Sequence, residues 1–229
     1  MRYLLLTLTL WILTAISLVT QAETVIGLHT GQSKIDDSQW QQVSLAYKWK
    51  IGQSRWTVNS GWLKREEASG IADSSVSMTW LFKPSLLKHW WDIKLKLKLP
   101  TADEQQALGT GSFDQEIRLQ AIRQYRLTSS DTLLHWMYTG YRNRGHSDRY
   151  RLQNSFKWGT GLQYQGISLA YDGREGSQQS SDIQHYLAIY YRKKFSGLSV
   201  SPYLQKRVLQ KKVEGQQPEQ WGAGVSVKF

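Results

Sequence analysis

The run Trp91-Asp92-Ile93-Lys94-Leu95-Lys96-Leu97-Lys98-Leu99-Pro100 alternates apolar with charged residues. Successive side chains of an extended chain point to opposite faces, so Lys94, Lys96 and Lys98 share one face and the leucines the other. Several ammonium groups on one face suit the binding or passage of anions, because basic rings in an aqueous channel favour anions or phosphates. The same parity puts Arg118, Arg149, Arg151, Lys157 and Arg207 on the polar faces of other segments, with Lys48, Lys50, Arg55, Arg65, Arg192 and Lys228. Acids on that face are few, chiefly Asp92, Glu116 and Asp172. Gln153 and Ser155 add groups that hydrogen-bond a polar solute. Arg142, Arg144, Lys211 and Lys212 fall near loop ends, where solvation or contact with lipopolysaccharide phosphates accounts for them.

Other chemistry finds little support. The histidines are His29, His89, His135, His146 and His185, and no His-x-Ser pair occurs. A lipid-cleaving site needs serine and histidine on one face, hydrogen-bonded and oriented by a third group. His146-Ser147 are adjacent and would point to opposite faces. His146-x-Asp148 alone is too little for a structural metal site. There is no cysteine, which excludes disulfides, thiolate metal sites and cysteine catalysis. No cofactor and no metal are expected.

The elements that carry these residues read as strands. Period-two alternation recurs at 43–51, 56–62, 76–82, 91–99, 117–121, 134–138, 150–158, 167–171, 185–191, 198–204 and 221–229. A short opening strand at 23–30 brings the number to about twelve. Within them Leu134-Trp136-Tyr138 and Ile167-Leu169-Tyr171 are expected on the apolar face. Longer polar connections are expected near 31–38, 66–74, 100–115, 143–148, 172–181 and 210–219. Shorter ones are expected near 51–54, 83–87, 127–131, 159–161 and 195–197. Short turns at one end and long loops at the other describe an outer-membrane β-barrel.

The chain has 229 residues and a net charge of +11, with 11 Trp and 12 Tyr against 5 Phe. Its mean hydropathy of −0.50 excludes a bundle of membrane helices, each needing about 20 apolar residues. A basic start, an apolar run from Tyr3 to Val19 and small residues before Ala22 predict a signal peptide over 1–22, the alternative being a membrane anchor. Residues 23–229 then form one barrel in the outer membrane of a Gram-negative bacterium. A soluble sandwich or lipocalin-like barrel is the alternative, since alternation does not say what covers the apolar face. Phe229 ends the last strand in phase with that face, which resembles the signal read by the barrel-assembly machinery.

One stretch resembles a known family. Lys96-Leu97-Lys98-Leu99-Pro100-Thr101-Ala102-Asp103, followed by Leu108-Gly109-Thr110-Gly111-Ser112-Phe113-Asp114, resembles the family named for the MetA pathway of phenol degradation. The resemblance implies an outer-membrane barrel described as a transporter and no phenol chemistry. Read physically, Pro100 ends a strand and the glycines shape a loop, with a functional constriction as the alternative.

The sequence therefore predicts a passive, anion-leaning pore for small solutes that is not an enzyme. Its expected partners are outer-membrane lipid, lipopolysaccharide and a small anionic solute, with no nucleic acid. The alternatives are a closed barrel with a structural or envelope-interaction role and, more distantly, a surface lipid-modifying enzyme.

Overall fold

A computed structural model describes residues 22–32, 39–84, 89–106, 108–148, 151–175, 183–209 and 221–229. Every regular element among them is a strand. The first half of the chain gives β1 (Ala22–Gln32), β2 (Gln39–Ile51), β3 (Ser54–Arg65), β4 (Ala68–Ile71), β5 (Ser74–Phe82), β6 (Trp90–Leu99) and β7 (Asp114–Arg126). The second half gives β8 (Thr132–Arg144), β9 (Ser155–Tyr164), β10 (Ile167–Arg174), β11 (Gln184–Tyr191), β12 (Lys193–Phe195), β13 (Leu198–Leu209) and β14 (Trp221–Lys228).

Neighbouring strands pair antiparallel, and β1 pairs with β14 from Val25↔Lys228 to Gly31↔Gly222, which closes the sheet. Short β4 pairs with β3, and β12 pairs with β13 next to β11, so neither is a separate stave. The barrel is thus a closed antiparallel sheet of twelve staves, and closure leaves no unpaired edge in hydrocarbon.

The alternation resolves cleanly into two walls. Leu95 and Leu97 are each 43% exposed and Leu187 51%, and they continue into Leu45, Ile117, Leu169 and Ile189 across the outer surface. A contiguous apolar belt of this kind is a membrane surface, because water would not leave it uncovered. This removes the soluble-sandwich alternative, in which the apolar faces would meet inside. Buried apolar residues among the described ones are few and small apart from Leu108 and Tyr186, whereas Asp92, Lys98, Asp114 and Gln184 are buried. The core is polar.

Two expectations fail together, and for one reason. Residues 159–161 form no turn; β9 runs through them and the turn falls at Gln165-Gly166, both with positive φ (44° and 86°). Leu134, Trp136 and Tyr138 lie on the inner wall, and His135, Met137 and Thr139 take the outer one. Gly159 and Gly161 face the β8 rings. An added Cβ would sit 2.5 Å from Tyr138 at Gly159 and 2.2 Å from Trp136 at Gly161. The glycines are therefore inner-wall clearance for large aromatic rings rather than turn residues.

Candidate functional site in the barrel interior

The interior divides into three regions set by the strand register. Toward the short-turn end lies a cavity of about 1150 Å³. Lys48 and Lys50 of β2, Arg55 of β3, Lys94 of β6, Arg118 of β7 and Arg192 after β11 line it, together with Thr57, Ser77, Thr79, Gln120 and Gln163. Asp92 is the one acid in this lining, and it lies 3.7 Å from Arg118 Nη2. Among the described residues Lys48, Lys50, Arg55, Lys94 and Lys96 form no salt bridge. Uncompensated charge between low-dielectric walls produces a focused positive potential.

Toward the long-loop end the charges are paired. Asp114, 2% exposed, accepts from Ser112 Oγ at 2.7 Å and Arg142 Nη2 at 2.5 Å, with Arg144 Nε at 3.3 Å and Lys98 Nζ at 3.5 Å. Lys157 pairs with Glu116 across the interior surface. Lys98 also donates to Asp73 at 2.8 Å and to Thr110 Oγ1 at 2.5 Å. Asp73 further accepts from the backbone N–H groups of Ala102 and Thr110, both at 3.3 Å, and Ser147 donates to Glu104 at 2.5 Å. The connection 100–113 is thereby folded back onto the inner wall, with Leu108 and Ser112 buried. Gly111 makes this possible: its φ is +63°, and a Cβ there would stand 1.8 Å from a Glu104 carboxylate oxygen. The run that resembles a known family is thus a pinned inner loop.

The third region is aromatic. Tyr138 donates to Asp172 at 2.5 Å, and Tyr190 stacks on Tyr203 with centroids 5.8 Å apart. His29 sits between Tyr203 O–H (3.1 Å from Nδ1) and Ser44 Oγ (2.8 Å from Nε2), where Gly27 and Gly224 leave room for its ring. Near the long-loop end Arg174 donates to Gln184 Oε1 (3.0 Å) and to Tyr186 O–H (2.8 Å), and Arg207 lies against the same Tyr186 ring.

Of the residues singled out in the sequence, Lys94, Lys96, Lys98, Arg118, Lys157 and Arg207 stand on the inner wall, in two separate groups and not one ring. Arg149 lies outside the described residues. Arg151 is exposed in the connection before β9 and is not on the inner face of a strand, because β9 begins only at Ser155. Arg142 and Arg144 are not solvated loop-end residues; β8 extends through Arg144 and turns both toward Asp114. Sequence reasoning missed Glu23, whose carboxylate pairs with Lys228 at 2.6 Å, and Asp114 as an inner-wall residue. Extending the inner-wall alternation of Glu116-Arg118 back by two residues would have found Asp114. His146 and Asp148 form an exposed loop pair, 3.2 Å apart. Among the described residues no cluster of three His, Asp or Glu is placed to hold a metal.

No family model matches the chain, and no curated protein matches it. Solved structures with the same fold do. The COG4313 outer-membrane channel from Pseudomonas putida F1 is 13% identical, with a TM-score of 0.60 over 91% of this chain and 95% of that one. The NanC porin is 10% identical, with a TM-score of 0.57 over 89% and 98%. The KdgM porin, in a complex with disordered oligogalacturonate, is 12% identical, with a TM-score of 0.54 over 90% and 99%. The chain therefore has the fold of outer-membrane porins.

Proposed function

We propose that the protein is a passive outer-membrane pore that favours small anionic solutes. The observation that carries the proposal is the cavity at the short-turn end, where Lys48, Lys50, Arg55 and Lys94 are unpaired among the described residues and Asp92 is the one lining acid. An ion in a narrow lumen sheds part of its water, and fixed positive charge replaces that hydration for anions only. Ser77 and Thr79 beside Lys96 and Lys94, together with Tyr190 and Tyr203 on β11 and β13, suit a solute that also carries hydroxyls. The oligogalacturonate named with the KdgM porin is a solute of this chemical class.

The proposal extends to the surroundings. Residues 1–22 are a signal peptide cleaved after Ala22, and the mature barrel sits among outer-membrane lipid and lipopolysaccharide. Lys64, exposed near the long-loop end of β3, supports contact with lipopolysaccharide phosphates. Phe229, 59% exposed with its backbone N–H bonded to Thr24 O at 2.9 Å, is the assembly signal. Membership of the phenol-degradation family rests on residues 96–114 alone. A second reading, a closed barrel with an envelope role, has its own support in the ion-paired long-loop half and the inward loop 100–113.

Planar-bilayer recording with the purified barrel separates the two. Discrete conductance steps whose reversal potential in a salt gradient lies on the anion side support the pore. Absence of conductance supports the closed barrel.

A further inference from the structure

Arg207 is 3% exposed, and its Nε, Nη1 and Nη2 are all buried with no hydrogen-bond partner among the described residues. A guanidinium carries five N–H donors and a permanent charge. Burying such a group without a partner is costly, so proteins pair it or use it. Among the described residues no acid forms a salt bridge with Arg207. Across the strand pair stands Tyr186, whose ring centroid is 6.0 Å from the Arg207 guanidinium carbon and 5.0 Å from that of Arg174.

The neighbours are fixed in place. Gln184 Oε1 accepts from Tyr186 O–H at 2.8 Å and from Arg174 Nε at 3.0 Å. Arg174 Nη2 donates to Tyr186 O–H at 2.8 Å, while the Arg174 side chain stays exposed toward the lumen. Two guanidinium groups thus share one aromatic ring, one buried and the other open. Of the inner-wall acids among the described residues, Asp172 pairs in register with Tyr186 but accepts from Tyr138 O–H at 2.5 Å, and Asp114 and Glu116 are engaged by Arg142, Arg144 and Lys157.

We infer that Arg207 and Arg174, braced by Tyr186 and Gln184, form an oxyanion-binding station inside the long-loop end of the barrel. Its ligand class is a solute bearing a carboxylate or phosphate, whose paired oxygens match the guanidinium fork. Arg174 meets the anion first, and Arg207 supplies the donors that no described residue uses. The inference deepens the pore proposal, which explains how solute reaches the station, but binding itself does not require conduction.

The test uses the full-length folded barrel in detergent, with citrate and inorganic phosphate as separate titrants in calorimetry. Saturable binding near one equivalent per chain is expected for at least one titrant, and the stronger titrant identifies the preferred oxyanion. Arg207→Gln should weaken it at least ten-fold, and Arg207→Lys should recover only part, since lysine keeps the charge but loses the fork. Heat-modifiable gel migration checks folding. If Arg207→Gln does not fold, Arg174→Gln, on an exposed head, is expected to weaken binding several-fold. Wild type that binds neither titrant, or folded variants that bind as wild type does, would overturn the inference. Bilayer recording on the same samples keeps the two proposals apart. Binding without conductance removes the pore and keeps the station, and conductance without binding does the reverse.

Discussion

Changing Lys48, Arg55 and Lys94 together to Gln should weaken anion preference without harming the fold. All three line the cavity at the short-turn end and none has a salt-bridge partner among the described residues, so no carboxylate is stranded by their loss. Lys98 would be a poor choice, because it holds Asp73, Asp114 and Thr110 together. One uncompensated charge in this cavity of about 1150 Å³ amounts to a fixed-charge concentration of about 1.4 M, well above a 0.1 M bath. Electroneutrality then makes the anion-to-cation ratio inside scale with the square of net fixed charge in dilute salt. The lining carries seven Lys and Arg against one Asp, so removing three cations halves its net charge. The anion-to-cation permeability ratio should therefore fall roughly four-fold at 0.1 M, an upper bound because the cavity opens to bulk solution. The difference should shrink at 1 M, where the Debye length is about 3 Å and not 10 Å. Reversal potentials across a salt gradient, for wild type and variant at both ionic strengths, give these ratios directly. An unchanged ratio in the triple variant, or cation preference in wild type, would refute the reasoning.

Four further outcomes are expected. Leu97→Arg should cost about 2–4 kcal/mol in unfolding measurements in lipid, since it puts a charge on the outer wall, whereas the inward Lys96→Gln should cost far less; equal costs would reverse the facing of β6. Asp73→Ala should release the loop 100–113, seen as faster cleavage after Glu104 by a glutamate-specific protease, because Asp73 receives Lys98 and two loop N–H groups. Gly161→Val should destabilise the barrel by about 1–3 kcal/mol in denaturant titrations, through collision with Trp136 and the backbone oxygen of Leu169. Deleting Phe229 should lower the folded yield in the outer membrane without changing the stability of protein refolded in detergent by more than about 0.5 kcal/mol.

Local chemistry in the sequence was enough to determine the strands and most of their two faces, while closure of the sheet removed the sandwich alternative. Alternation at Lys94-Leu95-Lys96-Leu97-Lys98 and Val43-Leu45-Tyr47 assigns the two faces residue by residue, because the period of two is a property of the extended backbone itself. The alternation of short and long connections, and an even strand number, followed from the same pattern. Where both faces of a strand carry large side chains, that logic has no purchase. β8 offers Leu134, Trp136 and Tyr138 on one face and His135, Met137 and Tyr141 on the other. Only the neighbouring strand decides between them. Gly159 and Gly161 of β9 leave space on the inner side, and Asp172 of β10 takes the Tyr138 hydroxyl there.

The division of the interior was likewise invisible in one dimension. Parity counts Lys94, Lys98 and Arg207 as equivalent cations on one polar wall. Cross-strand register and the inward loop give them different fates: Lys94 open to a cavity, Lys98 bound by Asp73 and Asp114, Arg207 buried with no acceptor among the described residues. Where one face of a strand is apolar and the other charged, the sequence determines which side of the wall a residue occupies, through backbone geometry that acts over two residues. What each charge faces depends on residues farther along the chain, which strand register and the folded-back loop bring into contact.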